Sequence, residues 1–283
     1  MADLPPLREV IRAHGLRAEK ALGQNFLLDQ NITDKIVRLS GKVSGIHAVE
    51  IGPGPGGLTR AILDSEMARL VAVEFDPRAV GALQDLVTAY GADRFQILEA
   101  DALEVLPYAL VPAPRAVLSN LPYNISTVLL LKWLAHIRAD KDVYAFMSLM
   151  FQKEVGDRIL AQVGTKAYGR LSVMAQWLCT VRRLFDLPPS AFTPPPKVKS
   201  GVLRLKNRWN PPACDHRLLF RVVKAAFNQR RKMLSNALGQ VLPEGYSDRM
   251  NILHLRAEQL PVQAFVELTQ AIEETLSDQK TSS

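Results

Sequence analysis

Four glycine-rich or polar segments follow apolar stretches of this 283-residue chain, at the points where buried strands would end. The first is the loop Gly52-Pro53-Gly54-Pro55-Gly56, whose glycines allow a ligand to lie against the main chain. The others are Glu74, Asp101 and the tetrapeptide Asn120-Leu121-Pro122-Tyr123. Taken alone, the loop is compatible with NAD, FAD or S-adenosylmethionine, or with a plain tight turn.

Glu74 and Asp101 are carboxylates suited to the two ends of a nucleoside. Glu74 lies about 20 residues after Gly52, the spacing typical of an acid that accepts hydrogen bonds from ribose hydroxyls. Asp101 is placed to accept from the exocyclic amine of a purine, or alternatively only to cap a following helix. The two acids favour a ligand that contains a nucleoside.

The tetrapeptide Asn120-Leu121-Pro122-Tyr123 indicates chemistry on an aromatic amine. An adenine amino group is a weak nucleophile because its lone pair is delocalised into the ring. The amide oxygen of Asn120 and the backbone carbonyl of Leu121 would pull its nitrogen toward tetrahedral geometry, and Pro122 fixes the backbone there. Tyr123 offers a flat face on which an extruded base can stack. The alternative is a proline-stiffened turn beside a surface tyrosine.

The ordered set of strand ends favours S-adenosylmethionine as the cofactor. A dehydrogenase would use the loop and the acid but has no need of the tetrapeptide, whereas a methyl donor with an adenosine end uses every segment. The amine would attack the sulfonium methyl group in line, and catalysis would come mostly from positioning.

The apolar stretches predict the elements that hold these residues. Strands and helices alternate as in a Rossmann-like, doubly wound, mostly parallel α/β sheet, with a small all-α domain after it. The predicted strands are Ala48–Ile51, Leu70–Phe75, Phe95–Ala100, Ala116–Ser119 and Val143–Leu149. The predicted helices are Asn31–Leu39, capped by Asn31 or Thr33, and then Leu58–Ser65, Pro77–Tyr90, Leu103–Leu106 and Ser126–Ile137.

The composition is that of a basic globular protein. The net charge of +7 is equally compatible with a polyanionic partner and with a simply basic enzyme. The five histidines and two cysteines have no metal-ligand spacing, so we expect no metal. No apolar stretch is long enough for a membrane span and the N-terminus lacks a leader pattern, so we expect a cytoplasmic protein without a membrane partner.

The chain resembles the ribosomal RNA adenine N6,N6-dimethyltransferase family, in its bacterial small-subunit branch. The segment Leu22-Gly23-Gln24-Asn25-Phe26-Leu27 is similar to the family's N-terminal signature. The resemblance implies that Asn25 and Leu27 help to close over the cofactor. It also implies cofactor contacts for the loop, the strand ends and one backbone group, namely Gly52, Gly54, Glu74, Asp101, Ala102 and Asn120.

The resemblance further implies a reaction and a substrate. The enzyme would transfer methyl groups to the N6 amines of two adjacent adenines near the 3′ end of small-subunit (16S) rRNA, within a pre-30S particle and as a monomer. Asn120, Leu121 and Tyr123 would face the target base. Two other enzymes are alternatives, a large-subunit rRNA or a DNA adenine methyltransferase, and so is a ribosome-assembly factor on a methyltransferase fold.

One stretch of the second half, from Phe192 to Ser200, is a further candidate for contact with the target base. Phe192, Pro194, Pro196, Val198 and Ser200 alternate with period two, which predicts that all five point to one side of an extended segment. The resemblance suggests that Phe192 stacks on the target adenine, although a core phenylalanine is the alternative.

Basic residues of the C-terminal helices are candidates for phosphate binding, or else form a solvated helix face. They are Arg221, Lys224, Arg230, Arg231 and Lys232.

The chain is expected to divide into N-terminal helices with the cofactor-closing segment (1–47), a methyltransferase domain (48–208) and a helical RNA-binding domain (213–278). The last two predicted helices are Arg231–Leu238 and Ala257–Leu276.

Overall fold

The computed structural model of the protein describes residues 4–16 and 25–281, so Leu22, Gly23 and Gln24 lie outside the described residues. The chain forms two compact units. The first contains Met1–Gly156 and Arg182–Asn207, and the second contains Asp157–Val181 and Arg208–Ser283. Residues 157–181 thus belong with the C-terminal helices, and the functional domain limits remain a prediction.

The helices and strands alternate along most of the chain. In order they are α1 (Leu7–Ala13), β1 (Phe26–Leu27), α2 (Gln30–Leu39), β2 (His47–Ile51), α3 (Gly57–Leu63), β3 (Arg69–Glu74), α4 (Pro77–Tyr90), β4 (Phe95–Glu99), α5 (Pro107–Leu110), β5 (Arg115–Asn120), α6 (Ser126–Ala139), β6 (Phe146–Gln152), α7 (Lys153–Leu160), α8 (Arg170–Leu178), β7 (Cys179–Leu187), β8 (Phe192–Thr193), β9 (Ser200–Asn207), α9 (His216–Asn228), α10 (Leu234–Ala237) and α11 (Val262–Thr281). None of the described helices has an apolar run long enough to cross a bilayer.

The central sheet of the first unit has the strand order β4-β3-β2-β5-β6-β9-β7. Neighbours from β4 to β6 are parallel, and β9 is antiparallel to β6. The chain runs outward from β2 to β4 and then returns to β5, so the strand order reverses between β2 and β5. Ligands of such sheets bind at the carboxyl ends of the strands beside this reversal. The predicted α/β fold is confirmed.

The parallel strands are apolar because both faces of the sheet are covered. All residues of β2 after His47 are buried, and β5 is buried from Ala116 to Ser119. Strands covered on both faces show nearly continuous apolar runs rather than alternation. Sequence patterns therefore located these strands to within a few residues, and β6, which begins three residues later than expected, shows the largest shift at its start.

Several predicted helix ends were wrong. Residues 102–104 form a turn and α5 begins only at Pro107, because proline lacks an N–H and suits the first helical position. The N-cap of α2 is Asp29, whose carboxylate accepts from the Asn31 N–H at 2.9 Å. The predicted Asn31 or Thr33 cap lies inside the helix.

The predicted alternation over Phe192–Ser200 was also wrong. The backbone bends at Pro194 and again at residues 197–198, so the period of two is lost. Phe192 and Ser200 are buried, whereas Pro194 and Val198 are exposed.

The two predicted C-terminal helices are shorter or interrupted. Only Leu234–Ala237 of the first is helical. The second is a 3-10 turn at Ala257–Gln259 followed by α11, because Pro261 interrupts it.

The strand β1 packs directly on the start of α3. It pairs antiparallel with β8, with Leu27 opposite Phe192. A Cβ atom at Gly57 would lie 2.3 Å from the backbone oxygen of Leu27, which no side chain could tolerate. A glycine at position 57 therefore allows β1 to lie against the helix.

We expect Gly57→Ala to lower the free energy of unfolding by about 1 to 3 kcal/mol, because β1 must move away from α3. Urea unfolding followed by circular dichroism measures this change. Gly81 is the matched control, since it is also helical but a Cβ atom there would lie 3.7 Å from its nearest neighbour, the His14 Nδ1, which is an ordinary contact distance. Gly81→Ala should leave the stability unchanged or raise it by up to about 1 kcal/mol. Equal stability of the two variants would contradict the packing argument.

Candidate active site

Two adjoining cavities lie at the carboxyl ends of β2, β3 and β5. Their empty volumes are about 710 and 650 Å³, open solvent at the mouth included, and they share Gly52, Glu74, Phe75 and Pro122 as lining residues. The predicted residues that line the first cavity are Asn25, Leu27, Gly52, Gly54, Glu74, Asn120, Leu121 and Tyr123. Those that line the second are Gly52, Glu74, Asp101 and Ala102. The structure thus brings together every predicted cofactor residue.

The glycine loop is held between two other segments of the first unit. Gly52 and Gly54 have φ values of 65° and 55°. A Cβ at Gly52 would lie 3.3 Å from the Pro122 ring, and one at Gly54 would lie 3.0 Å from the Phe26 ring. The glycines are therefore required by the close approach of β1 and the tetrapeptide as well as by their backbone conformation.

Glu74 is nearly buried, with 6% of its surface exposed, and its carboxylate organises the backbone around it. Its Oε1 accepts from the N–H groups of Phe75 and Asp76 at 2.8 and 2.9 Å, and its Oε2 accepts from the Gly54 N–H at 3.1 Å. Burial raises the pKa of Glu74, and these three amides oppose that shift. Since Oε2 has one donor, it retains room for a second, such as a hydroxyl group.

Glu50 is a residue of the site that the sequence reasoning missed. It is 1% exposed, lines the first cavity and accepts from the Thr59 hydroxyl at 2.7 Å. Burial raises the pKa of Glu50 to about 8, the Thr59 bond acts against this, and nearby Glu74 adds to it. The available signal was a carboxylate inside an otherwise apolar strand. A cation in the cavity would favour the ionised form of Glu50.

Asn120 is oriented by a hydrogen bond to the segment that precedes β1. Its Nδ2 donates to the backbone oxygen of Asn25 at 3.0 Å. Its Oδ1 accepts no hydrogen bond from the described residues, which leaves it as an acceptor at the cavity. Leu121 also lines this cavity, although only 1% of the residue is exposed. The preceding Ser119 hydroxyl donates to the Ile51 oxygen at 2.6 Å and joins the ends of β5 and β2.

Tyr123 is held in place by Ser200, another residue that the sequence reasoning did not assign to the site. The Tyr123 hydroxyl and the Ser200 Oγ are 2.5 Å apart. Burial raises the pKa of Tyr123, while the Ser200 bond lowers it. Ser200 begins β9, at the sheet end where β6 finishes. The bond therefore fixes the ring at the wall of the first cavity.

Phe192 lies elsewhere. Its side chain is 3% exposed and packs in the hydrophobic core with Leu27, and it lines neither cavity. The structure therefore places Phe192 in the core, as in the alternative considered from the sequence. Stacking of Phe192 on a base remains a prediction.

The residues that line the second cavity include an aspartate and an exposed aromatic ring. Asp101 lines this cavity, and its Oδ1 accepts from the Leu103 N–H at 2.8 Å, while Oδ2 accepts no hydrogen bond from the described residues. Phe75, which the sequence reasoning did not single out, lines both cavities and is 63% exposed. An exposed ring at a cavity mouth is suited to stacking on a flat ligand.

Comparison with known proteins identifies the family. A family model described as ribosomal RNA adenine dimethylase matches residues 15–275. The chain belongs to the ribosomal RNA adenine dimethylase family. This confirms the predicted resemblance, and the protein is an enzyme that methylates ribosomal RNA.

Relatives named ribosomal RNA small subunit methyltransferase A are similar over almost the whole chain. The protein from Jannaschia sp. (strain CCS1) is 48% identical over 280 residues, 97% of this chain and 96% of its own length. The protein from Rhodospirillum rubrum is 49% identical over 275 residues, 95% of this chain and 93% of its own.

Two solved structures share the fold of this dimethylase-family chain. A dimethyladenosine transferase from Plasmodium falciparum has a TM-score of 0.75 at 22% identity, over 87% of this chain and 96% of that one. The 23S rRNA methyltransferase ErmE has a TM-score of 0.64 at 22% identity, over 87% of this chain and 100% of that one.

The predicted RNA-binding residues of this rRNA methyltransferase lie in the second unit. Arg221 and Lys224 are exposed on α9, on the same helical face as Arg217. Arg231 and Lys232 are exposed between α9 and α10. Their positions are compatible with phosphate binding.

Arg230 forms hydrogen bonds within the second unit instead. Its guanidinium donates to Glu258 Oε2 at 2.5 Å, to the Lys166 oxygen at 2.6 Å and to the Thr165 oxygen at 3.0 Å. These bonds tie the loop before α8 to the turn before α11. Within the described ranges no cluster of side chains could hold a metal ion.

We expect the methyltransferase to lose stability as the pH rises from about 4.5, the pKa of an unfolded glutamate, to about 8, the pKa of Glu50 in the folded protein. The unfolded carboxyl ionises near 4.5, whereas folded Glu50 keeps its proton until about 8, so the folded state is penalised progressively between these values. Glu50→Gln cannot ionise and can still accept from Thr59. The melting temperature of the variant, measured relative to that of the wild type, should therefore increase from pH 5 to pH 8. Glu267→Gln, on the exposed face of α11, controls for the loss of a carboxylate, and a pH-independent difference for Glu50→Gln would refute the burial argument.

Ser200→Ala should release the Tyr123 ring and lower the rate of methyl transfer about five- to tenfold, the effect of one lost hydrogen bond. Cofactor affinity should stay near the wild-type value, because neither residue belongs to the predicted cofactor contacts. Tyr123→Phe should have a similar effect, and the double variant should be no slower than either single variant. Ser190→Ala, at an exposed serine, is the control. Additive losses in the double variant would show that Ser200 acts through something other than Tyr123.

Proposed function

We propose that this protein transfers methyl groups from S-adenosylmethionine to the N6 amines of two adjacent adenines near the 3′ end of 16S rRNA. It acts in the cytoplasm, as a monomer, on a pre-30S particle. The observation that carries the proposal is the open Oδ1 of Asn120 at the wall of a cavity that also contains the glycine loop. The names of the relatives support the small subunit as the substrate.

The residues of the two cavities fit S-adenosylmethionine. Asp101 Oδ2 and the Ala102 backbone would hold the adenine, with Phe75 against its face. The remaining acceptor position of Glu74 Oε2 suits a ribose hydroxyl, between the two cavities. Glu50 and the glycine loop would hold the amino-acid end, with Asn25 and Leu27 beside it. When bound, S-adenosylmethionine supplies an electrophilic methyl group on a positively charged sulfur.

Acceptors would therefore face the donors of this cofactor, and the Glu50 carboxyl would lie beside the amino-acid end, which carries a positively charged ammonium group. Burial keeps Glu50 protonated at neutral pH in the free protein. A neighbouring cation stabilises the carboxylate, so binding of the cofactor would release a proton from Glu50.

The chain's contribution to catalysis is to orient the target amine. Asn120 Oδ1 and the Leu121 oxygen accept the two N–H groups, which draws the nitrogen lone pair out of conjugation with the ring. The Tyr123 ring, fixed by Ser200, supports the extruded base. The buried Leu121 side chain and Pro122 hold the backbone that presents both acceptors. Positioning and electrostatics thus supply the rate enhancement without a general base, because the methylated amine is acidic enough to lose its extra proton to water.

The α9 residues Arg217, Arg221 and Lys224, together with Arg231 and Lys232, would bind phosphate groups of the RNA. Such contacts set affinity and register but read no bases. Arg230 stabilises the unit that carries them.

The test uses radiolabelled S-adenosylmethionine with under-methylated small subunits, large subunits, naked 16S rRNA and DNA, followed by mapping of the labelled base. We expect label on two adjacent adenines near the 3′ end of 16S rRNA in small subunits. Label confined to large subunits or DNA would overturn the proposal.

The same assay tests the role of Asn120. Asn120→Ala should reduce methyl transfer by at least about 100-fold, comparable to the loss of one preorganised catalytic group. Its affinity for the cofactor, measured by calorimetry, should change little. Asn124→Ala, at an exposed amide nearby that lines only the second cavity, is the control. If Asn120→Ala fails only because the cofactor no longer binds, its orienting role is wrong.

A further inference from the structure

Five basic residues gather around the C-terminal end of α2 in the first unit, outside both cavities. They form what we call the α2 basic patch, which consists of Lys35, Arg38, Lys42, Arg182 and Arg204. Lys35 and Arg38 are exposed on α2, and Lys42 is exposed just after it. Arg182 and Arg204 come from β7 and β9, strands that adjoin at the edge of the sheet. None of the five belongs to the RNA-binding set expected from the sequence.

The two arginines converge on one turn. Arg182 donates from its guanidinium to the Leu39 oxygen at 3.1 Å. The Arg204 guanidinium lies against Gly41, where a Cβ would be 3.5 Å from its nitrogen. Burial lowers the pKa of Arg204, and the charge of Arg182 lowers it further. Two like charges are therefore held within reach of each other.

Aromatic rings fix two of the cations. The Lys35 Nζ lies 4.4 Å from the centre of the Phe185 ring, and the Arg204 Cζ lies 4.9 Å from the centre of the Phe146 ring. Such contacts hold a cation in place while leaving its charge available to an anion.

Acids of the described residues do not neutralise the patch. Asp186, the carboxylate on β7, pairs with Arg183 at 3.1 Å, and Asp34 on α2 accepts from Gln30 at 2.8 Å. Throughout residues 4–16 and 25–279, no ion pair joins a carboxylate to any member of the patch.

Capping of α2 does not account for five cations. One arginine satisfies a carbonyl at the helix end, and cations there gain from the helix dipole only within its last turn. The other members add mutual repulsion, which an anionic partner with several charges would relieve. The phosphate backbone of RNA is such a partner, because its charges recur along a chain.

The patch also lies within reach of RNA at the cleft. Ser200, Val202 and Arg204 alternate along β9 and face the same side of the sheet. Arg204 is four residues from Ser200, about 13 Å along the strand. Ser200 holds the tyrosine of the first cavity, so RNA with a base at that ring would pass near the patch.

We propose that the α2 basic patch binds phosphate groups of the substrate ribosomal RNA, as a second contact surface beside that of α9. This inference rests on the proposed function for its partner. Contacts of this kind hold the RNA in register while one adenine occupies the cleft.

The test compares Arg38→Gln/Lys42→Gln with wild type in binding to naked 16S rRNA and to under-methylated small subunits, from 50 to 200 mM salt. Both residues are exposed and make no contact with the cleft. Loss of two phosphate contacts should weaken binding about tenfold at 50 mM salt and reduce the slope of log affinity against log salt by roughly 1.5. Arg8→Gln/Arg12→Gln is the matched control, since it removes two exposed charges four residues apart on α1.

Equal losses in both double variants would mean non-specific attraction and would overturn the proposal. Unchanged binding to naked rRNA with weaker binding to whole small subunits would indicate an acidic protein partner and would also overturn it. The binding assay needs no methyl transfer, so a patch effect on RNA affinity stands even if labelling shows a different target base. Unchanged affinity for S-adenosylmethionine confirms that each variant is folded.

Discussion

The hydrogen bond from the Asn120 side chain to the backbone oxygen of Asn25 is the contact on which the cleft depends. A side-chain amide has a donor end and an acceptor end, so fixing the donor also directs the acceptor. The partner lies 95 residues earlier, just before β1. That segment stays close only because Gly54 and Gly57 leave room for the Phe26 ring and the Leu27 oxygen. The orientation of the amine acceptor is therefore a property of tertiary packing.

The cleft carries a second constraint, which is electrostatic. Glu50 and Glu74 are both buried; burial raises the pKa of each, and the charge of Glu74 raises the pKa of Glu50 further. In the free protein this arrangement costs stability, because a buried carboxyl pair is poorly solvated. A positively charged ligand supplies the electrostatic stabilisation that the ionised carboxyl groups lack in the free protein. The same acids that lower the stability of the free protein thus favour a cationic cofactor over a neutral or anionic one, a preference that a glycine loop alone does not give.

Sequence patterns predicted the parallel strands and the residues at their ends because both follow from local order. A buried strand is an apolar run, and the residue after it lies at the ligand-binding edge. What the patterns missed depends on contacts between distant segments. Ser200 reaches Tyr123 across 77 residues, and Arg230 reaches Glu258 across 28. A cluster of basic residues has the same sequence pattern whether its members face solvent or pair with a carboxylate. The burial of Phe192 depends on its pairing with β1, and a strand of two residues is too short to show a periodic pattern.

Selectivity for one adenine cannot come from the cleft alone. In the proposed site, two acceptors and a ring would recognise an aromatic amine, which every adenine offers. Phosphate-binding surfaces do not read bases either, but they fix which part of a folded RNA lies at the cavity. Each unit of this protein carries exposed basic residues suited to that task, on α9 and around α2. Under the proposed function, the choice of target follows from RNA shape, because basic residues that bind the phosphates set which adenine reaches Tyr123. A substrate assembled into a particle presents its phosphates in a more fixed arrangement than a free RNA strand does.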